Sequence, residues 1–225
     1  MCNLYGYFHM RKYYPVSLDI TGKRCIIVGG GAVAERKAAR LIDCGAQVVI
    51  VSRTLTQLLK NRKKAKAIEH IDRDYEKQTL NGSFLVIGAT DRDDVNAQVS
   101  RDALSLGMLV NIVDDPDKCN FILPSLVQQG DLVIAVSTGG KSPALAREIR
   151  EDLQRQYGPE YKSLLAIMGS LRKKILAQGH ASERNKTVFE ALVRSDILQA
   201  IREGNRTGVK KIILDASGID MDVKL

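Results

Sequence analysis

In the first half of the chain, apolar residues fall in short unbroken runs, each followed by a stretch with helical spacing. Residues 24–28 (RCIIV) predict a buried strand that Gly29-Gly30-Gly31 breaks. From Ala32 the segment AVAERKAARLIDCG places Val33, Ala34, Lys37, Ala38 and Leu41 near one helical face, with Gly45 as the stop. VVIV (48–51) predicts a second buried strand, Leu55 to about Lys64 a weaker helix, and IEHI (68–71) a third strand. FLVIGA (84–89) predicts a strong strand, Asp91 to Leu106 a helix opening on a Thr-Asp cap, and MLVNIV (108–113) another strand. Continuous Val/Ile strands alternating with helices imply βαβ units and a parallel sheet covered on both faces. The expected fold class is α/β, with a doubly wound parallel sheet over residues 1–115.

The rhythm changes after Asp114-Asp115-Pro116-Asp117. NFILPS (120–125) and DLVIAVS (131–137) are β-like, and no helix fits between them. They either pair as a hairpin or join another chain's sheet. Residues 116–150 are thus a separate β-containing segment. From Ser142 almost to Arg206 the pattern is helical, in three stretches separated by Gly or Pro, so residues 151–225 form a C-terminal helical domain. The last run, KKIILDASGIDMDVKL, fits neither period.

Composition narrows the function only partly. Of 225 residues, 44% are apolar and 27% charged, which excludes collagen-like, mucin-like and wholly disordered chains. Lys and Arg number 34 against 26 Asp and Glu, a formal charge of +8. That excess favours an anionic partner: nucleic acid, an acidic membrane, or a substrate with several carboxylates or phosphates. No apolar run approaches the roughly 20 residues that span a bilayer. The N-terminus has no apolar core or small-residue cleavage site, so a cytoplasmic location is expected. Cys2, Cys25, Cys44 and Cys119 form no CxxC pair and are expected as thiols, with Cys25 and Cys44 in the core. His9, His70 and His180 show no metal-ligand spacing.

Gly29-Gly30-Gly31-Ala32-Val33-Ala34 fits G-x-G-x-x-A between a strand and a helix, the dinucleotide-binding Rossmann turn. Gly29 permits the tight turn, Gly31 admits a pyrophosphate to the backbone, and Ala34 permits close helix–strand packing. The helix N-terminus supplies free N–H groups. The alternative is a packing turn with no ligand. An acidic residue usually ends the second strand to hold the ribose, but here the chain reads Ser52-Arg53-Thr54. Ser52 and Thr54 can bond a hydroxyl; Arg53 either faces adenine or a 2′-phosphate, or faces solvent. Thr90-Asp91 and Asn111 to Asp114 end two later strands, where ligands sit in such sheets. Asp114 is a candidate general base if burial tunes it, or else part of a solvated turn. Thr138, Gly139, Gly140, Lys141 and Ser142 form a glycine-rich loop before a helix carrying Arg147, either a second anion site or a capped helix start. The clusters at Lys60–Lys66, Arg172–Lys174 and Lys210-Lys211 lack interleaved aromatics, and the chain has no Trp, a poor platform for single-stranded nucleic acid.

Together YPVSLDITGKRCIIVGGGAVAERKAARLIDCGAQVVIVS, FLVIGATDRDDVNAQV and LVNIVDDPDKCNFILPSLVQQGDLVIAVSTGGKSPALAREIRE resemble the N-terminal part of the siroheme synthase family, over about residues 13–155. The resemblance implies oxidation of precorrin-2 to sirohydrochlorin with NAD as cofactor. It implies dinucleotide contacts at Gly29, Gly31, Ala32, Val33, Arg53, Thr54 and Thr90, and a catalytic Asp114 closing Asn111-Ile112-Val113-Asp114. The substrate, a polycarboxylate tetrapyrrole, would draw on Asn111, the Thr138–Ser142 loop, Arg147 and the basic surface. Thr138 stands where some fused members carry a modifiable serine. Family members are homodimers that exchange the segment after the Rossmann domain, which makes 116–150 a dimerisation segment. Some also insert ferrous iron into sirohydrochlorin, with His9, His70 or Cys119 as possible contacts. Because the chain ends at residue 225, any methyltransferase module is expected on a separate protein. A ligand-sensing Rossmann module is the alternative from another class; nucleic acid and membrane are not expected partners.

Overall fold

The computed structural model describes residues 12–178 and 182–225, with side chains described from 185 in the later stretch. His9, Cys2 and His180 lie outside the described residues. The chain divides into two compact units, Met1–Leu123 and Pro124–Leu225.

The first unit is built on five parallel strands: β1 (Arg24–Val28), β2 (Gln47–Val51), β3 (Glu69–Ile71), β4 (Leu85–Gly88) and β5 (Leu109–Ile112). Their order is β3-β2-β1-β4-β5. The chain moves one way from β1 to β3 and then returns to the other side of β1 for β4. The loops after β1 and β4 therefore diverge and leave a crevice at their C-terminal ends. Helices α1 (Ala32–Asp43), α2 (Gln57–Lys64) and α3 (Asp93–Ser105) connect the strands.

The unbroken Val/Ile runs make sense because both faces are buried. One face packs Cys25, Ile27, Val48, Ile50 and Ile87 with Ala34, Ala38 and Leu41 of α1. The other packs Ile26, Val28, Val49, Val86 and Val110 with Val99 and Ala103 of α3. Each fully buried Ile side chain contributes on the order of 1.5–3 kcal/mol of transfer free energy. Cys25 is in this core, and burial pushes its thiol up to about 11. Cys44, expected there too, is exposed, because it is the residue on which α1 ends. No helix among the described residues is long and apolar enough to cross a membrane.

The second unit begins with an antiparallel hairpin, β6 (Ser125–Gln129) and β7 (Leu132–Val136), joined through Gly130-Asp131. The expected hairpin is present, but its first strand is SLVQQ rather than NFILPS. Pro124 lacks the N–H that a ladder needs and stands just before the strand. Helices α4 (Pro143–Gln156), α5 (Glu160–Ala177), α6 (Ser182–Arg194), α7 (Ile197–Arg202) and α8 (Arg206–Ser217) follow. Leu164, Leu171, Leu192, Ile197, Val209 and Ile213 are at the centre of their core. The ambiguous C-terminal run resolves into α8, capped by the Asn205 side chain and closed by left-handed Gly218, and then an extended tail whose Ile219, Met221 and Val223 are buried.

Candidate functional site

A cleft of about 820 Å³ opens over the crevice between β1 and β4. Its floor is the glycine turn. Gly29 has φ +118, and a β-carbon there would overlap the Ala89 carbonyl just beyond β4. A β-carbon on Gly30 would overlap the Thr54 carbonyl, and Thr56 N–H donates to the Gly30 carbonyl at 3.0 Å. The two glycines thus let the loops after β4 and β2 close onto the turn. At Gly31 a β-carbon would meet nothing within 4 Å, so that backbone is open to the cleft. Gly31 also caps α1 without any side-chain bond, and Ala32 and Val33 line the cleft. The first-turn N–H groups are left for a ligand, with the positive end of the helix dipole behind them. Ala34, fully buried, brings α1 close to the sheet. Glu35, an acid in this first turn, accepts from Thr56 Oγ1 at 2.5 Å and is tied to the start of α2.

The β2–β3 side of the cleft is cationic but largely paired. Ser52 Oγ accepts from Thr54 N–H at 3.3 Å, and both residues line the cleft. Arg53 lines it too, but its guanidinium pairs with Asp74 at 3.2 Å, both side chains being well exposed. His70 on β3 is held at both ring nitrogens, Nε2 to the Ser52 carbonyl at 2.8 Å and Nδ1 to Lys63 Nζ at 3.0 Å. That contact fixes the end of β2 from below. Arg73, two residues beyond β3, also lines the cleft, and its Nε is buried without a partner.

On the β4–β5 side, Thr90 and Asn96 lock together. Asn96, 5% exposed, accepts from Thr90 Oγ1 at 2.8 Å and Thr90 N–H at 3.3 Å, and donates to the Thr90 carbonyl at 3.0 Å. The expected Thr-Asp helix cap is absent. The helix begins two residues later at Asp93, because the Thr90 hydroxyl is engaged with Asn96 and with Arg92 N–H at 3.2 Å. Asp114 follows β5 with φ +62, a left-handed conformation that Asp tolerates better than most residues, and it lines the cleft. It is exposed rather than buried. Half-buried Lys37 on α1 lies within the field of Asp114. Burial, then Arg40 and Arg36, depress its ammonium, and Asp114 opposes them.

The turn carrying Asp114 is braced from beneath by Cys119, which is buried. Ile112 N–H donates to its Sγ at 3.0 Å, and the thiol reaches the carbonyls of Asp115 at 3.1 Å and Ile112 at 3.3 Å. Asp115 pairs with Lys118 at 2.6 Å, and that ammonium holds its carboxyl below the usual range. Asn111, expected to meet the substrate, does not line the cleft. It is 8% exposed and its Nδ2 donates to the Phe121 carbonyl at 3.1 Å, which secures the chain after β5.

Within the second unit the glycine-rich loop is well formed. Ser142 Oγ accepts from Leu145 N–H at 3.2 Å with Pro143 as the first helical residue, the expected cap. Thr138 Oγ1 bonds both Ser142 N–H at 3.1 Å and its carbonyl at 3.0 Å. Gly139 and Gly140 have φ +62 and +83, and Lys141 is exposed. Arg147 is exposed and pairs with Glu151 at 3.0 Å. Among the described residues no three His, Cys, Asp or Glu gather as a metal site. The sequence reading overlooked Arg73, Asn96, Lys37 as a neighbour of Asp114, and the necessity of Gly30. Only Gly30 had a signal, an unbroken glycine triplet.

Comparison with known proteins gives concordant matches. Residues 16–125 match the family model described as "Putative NAD(P)-binding", and residues 129–156 match "Sirohaem biosynthesis protein central". Siroheme synthase 1 of Aeromonas salmonicida is 35% identical over 201 residues, which is 89% of this chain and 43% of that protein. Siroheme synthase of Thioalkalivibrio sulfidiphilus is 32% identical over 212 residues, 94% of this chain and 43% of that protein. The chain therefore spans less than half the length of these relatives. Among solved structures, SirC, a precorrin-2 dehydrogenase, matches with TM-score 0.79 and 21% identity, covering 92% of this chain and all of that one, a likeness of fold.

Proposed function

The chain belongs to the NAD(P)-binding family that carries the sirohaem-biosynthesis central segment, and from that premise we propose that it oxidises precorrin-2 to sirohydrochlorin with NAD as hydride acceptor. The observation that carries this reading is one cleft joining an open glycine cradle at Gly31 to the Asp114 carboxylate across the β1–β4 crevice. The residues present fit a dinucleotide. Gly31 has no obstruction above it, Ala32 and Val33 present helix N-terminal amides, and Ser52, Thr54 and Thr90 stand where ribose hydroxyls would lie. The bound nicotinamide ring supplies the acceptor carbon for a hydride.

Removing two hydrogens from the macrocycle releases one hydride and one proton. Asp114 is the carboxylate placed to take that proton, at the end of β5 on the nicotinamide side. Its carboxylate also offers an acceptor for pyrrole N–H groups, orienting the ring. The +8 charge favours approach of a substrate bearing several carboxylates. Thr138, Gly139, Gly140, Lys141, Ser142 and Arg147 are proposed to hold peripheral carboxylates. Asn111 acts instead by fixing the chain behind Asp114.

Residues 116–150 are proposed as the dimerisation segment between the domain at 1–115 and the helical domain at 151–225. The hairpin is only two strands wide, Val133 on β7 is 53% exposed, and Leu145 and Ile149 on α4 are exposed as well. A second copy of the chain would cover such a surface. The assay that tests the function is anaerobic addition of precorrin-2 and NAD, followed by absorbance at 340 nm. NADH formation supports it, and no NADH with intact NAD binding overturns it. A parallel arm, sirohydrochlorin with ferrous iron and no NAD, decides whether iron insertion accompanies it.

A further inference from the structure

We propose that one face of α3 positions both sides of the cleft, with Ser100 and Cys119 as positioning residues that hold Asp114 as Asn96 holds Thr90. This rests on the reading of Asp114 as the proton acceptor and extends it to the residues that set its place.

The buried face of α3 packs Val99 and Ala103 against the sheet, yet α3 also carries Asn96 and Ser100, both almost wholly buried. They are four residues apart and so share one face. A polar side chain buried there is costly unless it is bonded. A serine inside a helix ordinarily turns to solvent or to the carbonyl four residues back. Ser100 Oγ instead donates to the Lys118 carbonyl at 2.8 Å, outside the helix. Asn96 likewise bonds outward, to Thr90. One helix face therefore grips the chain after β4 and the chain after β5.

Cys119 carries the second grip to Asp114. The turn at Asp114 is closed by Asp115 N–H, which donates to the Ile112 carbonyl at 3.4 Å. Asp114 occupies its third place at φ +62, where a turn of that shape favours Gly or Asn. The Cys119 sulfur accepts from Ile112 N–H at 3.0 Å, and its thiol reaches the Asp115 carbonyl at 3.1 Å and the Ile112 carbonyl at 3.3 Å. One buried atom thus meets the first and the last residue of the turn. The thiol has a single proton for two carbonyls, so the contact depends on where the sulfur sits.

That place is set from both sides. Ser100 fixes the carbonyl just before Cys119, and Asn120 fixes the residue just after it. Asn120 N–H donates to the Val110 carbonyl at 3.0 Å, its Oδ1 accepts from Val110 N–H at 2.8 Å, and its Nδ2 donates to the Met108 carbonyl at 2.8 Å. β5 is the last strand of the sheet, and Asn120 and Cys119 bond its outer edge in place of another strand. Without this support the turn is free to relax out of the left-handed region, and the Asp114 carboxylate leaves its place at the cleft.

Turnover at saturating precorrin-2 and NAD, read anaerobically at 340 nm, and isothermal titration with NAD test the proposal on the full chain. Ser100→Ala and Cys119→Ala should each lower kcat about tenfold or more, the size of a small misplacement, and leave the NAD Kd within about threefold of the parent. Combined with Asp114→Asn, neither should lower turnover further by more than about twofold, because the carboxylate they place is already gone. A merely structural role would move both readouts and add its loss to that of Asp114→Asn. The proposal is overturned if both single variants turn over within about threefold of the parent, if NAD affinity falls as much as kcat, or if the loss persists undiminished beside Asp114→Asn. If the parent binds NAD yet forms no NADH, the functional reading fails and this inference falls with it. If the parent turns over and the variants match it, this inference alone fails. Melting curves confirm folding. Should Cys119→Ala not fold, Ser100→Ala decides, since it removes a different bond of the same chain of contacts.

Discussion

The Thr54 carbonyl lies over the α-carbon of Gly30, leaving no room for a β-carbon between them. This one approach welds the loop after β2 to the turn after β1. Gly30→Ala must push the Ser52–Thr54 loop outward. The expected cost is about 1–3 kcal/mol of stability, from overpacking against backbone that cannot rotate away. NAD affinity should fall about tenfold or more, because Ser52 and Thr54 move with the loop. Thermal melting and isothermal titration read the two effects separately. Gly31→Ala, whose β-carbon meets only open space, should melt like the unaltered chain and lose affinity alone.

Asp114 separates fold from chemistry in its own way. Its φ of +62 costs most residues about 1 kcal/mol. Asp114→Gly should therefore melt at or slightly above the parent temperature, gaining up to about 1 kcal/mol. Its turnover should drop about 100-fold or more, the size of a lost general base. Asp114→Asn should match it in turnover while keeping the parent stability. Normal turnover in either variant with unchanged NAD affinity rejects the catalytic assignment.

Asn96 holds the Thr90 turn with three hydrogen bonds while almost wholly buried. Asn96→Ala leaves Thr90 N–H and carbonyl groups without partners. The expected loss is about 1–3 kcal/mol in urea denaturation. NAD should bind more weakly, because Thr90, which lines the cleft, is no longer fixed.

The thiols should differ sharply toward an alkylating reagent. Cys44 is exposed, whereas Cys25 is fully buried with its thiol raised to about 11. At pH 8 the native protein should take up iodoacetamide at Cys44 within minutes and leave Cys25 and buried Cys119 unmodified until denaturant is added. Peptide mass spectrometry after timed quenching gives the order.

Acid should act in part through Asp115. Lys118 holds its folded carboxyl below the ordinary carboxylate value. The stabilisation is therefore complete above that ordinary value and disappears as pH falls through the lowered one. Lys118→Met should lose less stability than the parent on acidification below the ordinary carboxylate range. The difference should stay under about 1 kcal/mol, since both groups are partly solvated. Melting temperatures across the acid limb measure it.

Much of this is legible in the residues themselves, for physical reasons that also explain the failures. β1, β2, β4 and β5 are visible because strands buried on both faces are built mainly of Val, Ile and Leu in unbroken runs. The glycine turn is visible because its backbone forbids a side chain. β6 was displaced by FIL, an apolar run that Pro124 keeps out of the ladder. α8 is not legible as a helix because its N-cap, Asn205, and its closing Gly218 flank the apolar run rather than lie within it. Cys44 looked like core by its neighbours, but the helix ends there and turns it outward. Arg73, Asn96 and Lys37 could not be read at all. Arg73 lines the cleft, Asn96 fixes Thr90 and Lys37 lies in the field of Asp114 only because the strand order brings separated segments together, and nothing local marks that.

The strand order also sets when the cleft can come into being. β1 pairs with β2 some twenty residues downstream, but its other partner, β4, arrives only about sixty residues after it. A chain emerging from the ribosome can close the first pairing early and must wait for the second, a non-local step of the kind that slows folding. Until β4 docks there is no crevice, and until β5 follows there is no Asp114 above it. The nucleotide can therefore grip only a chain whose long-range pairing is finished. A nucleotide that binds only the completed sheet stabilises it by mass action, so the strand order ties ligand grip to the last long-range pairing.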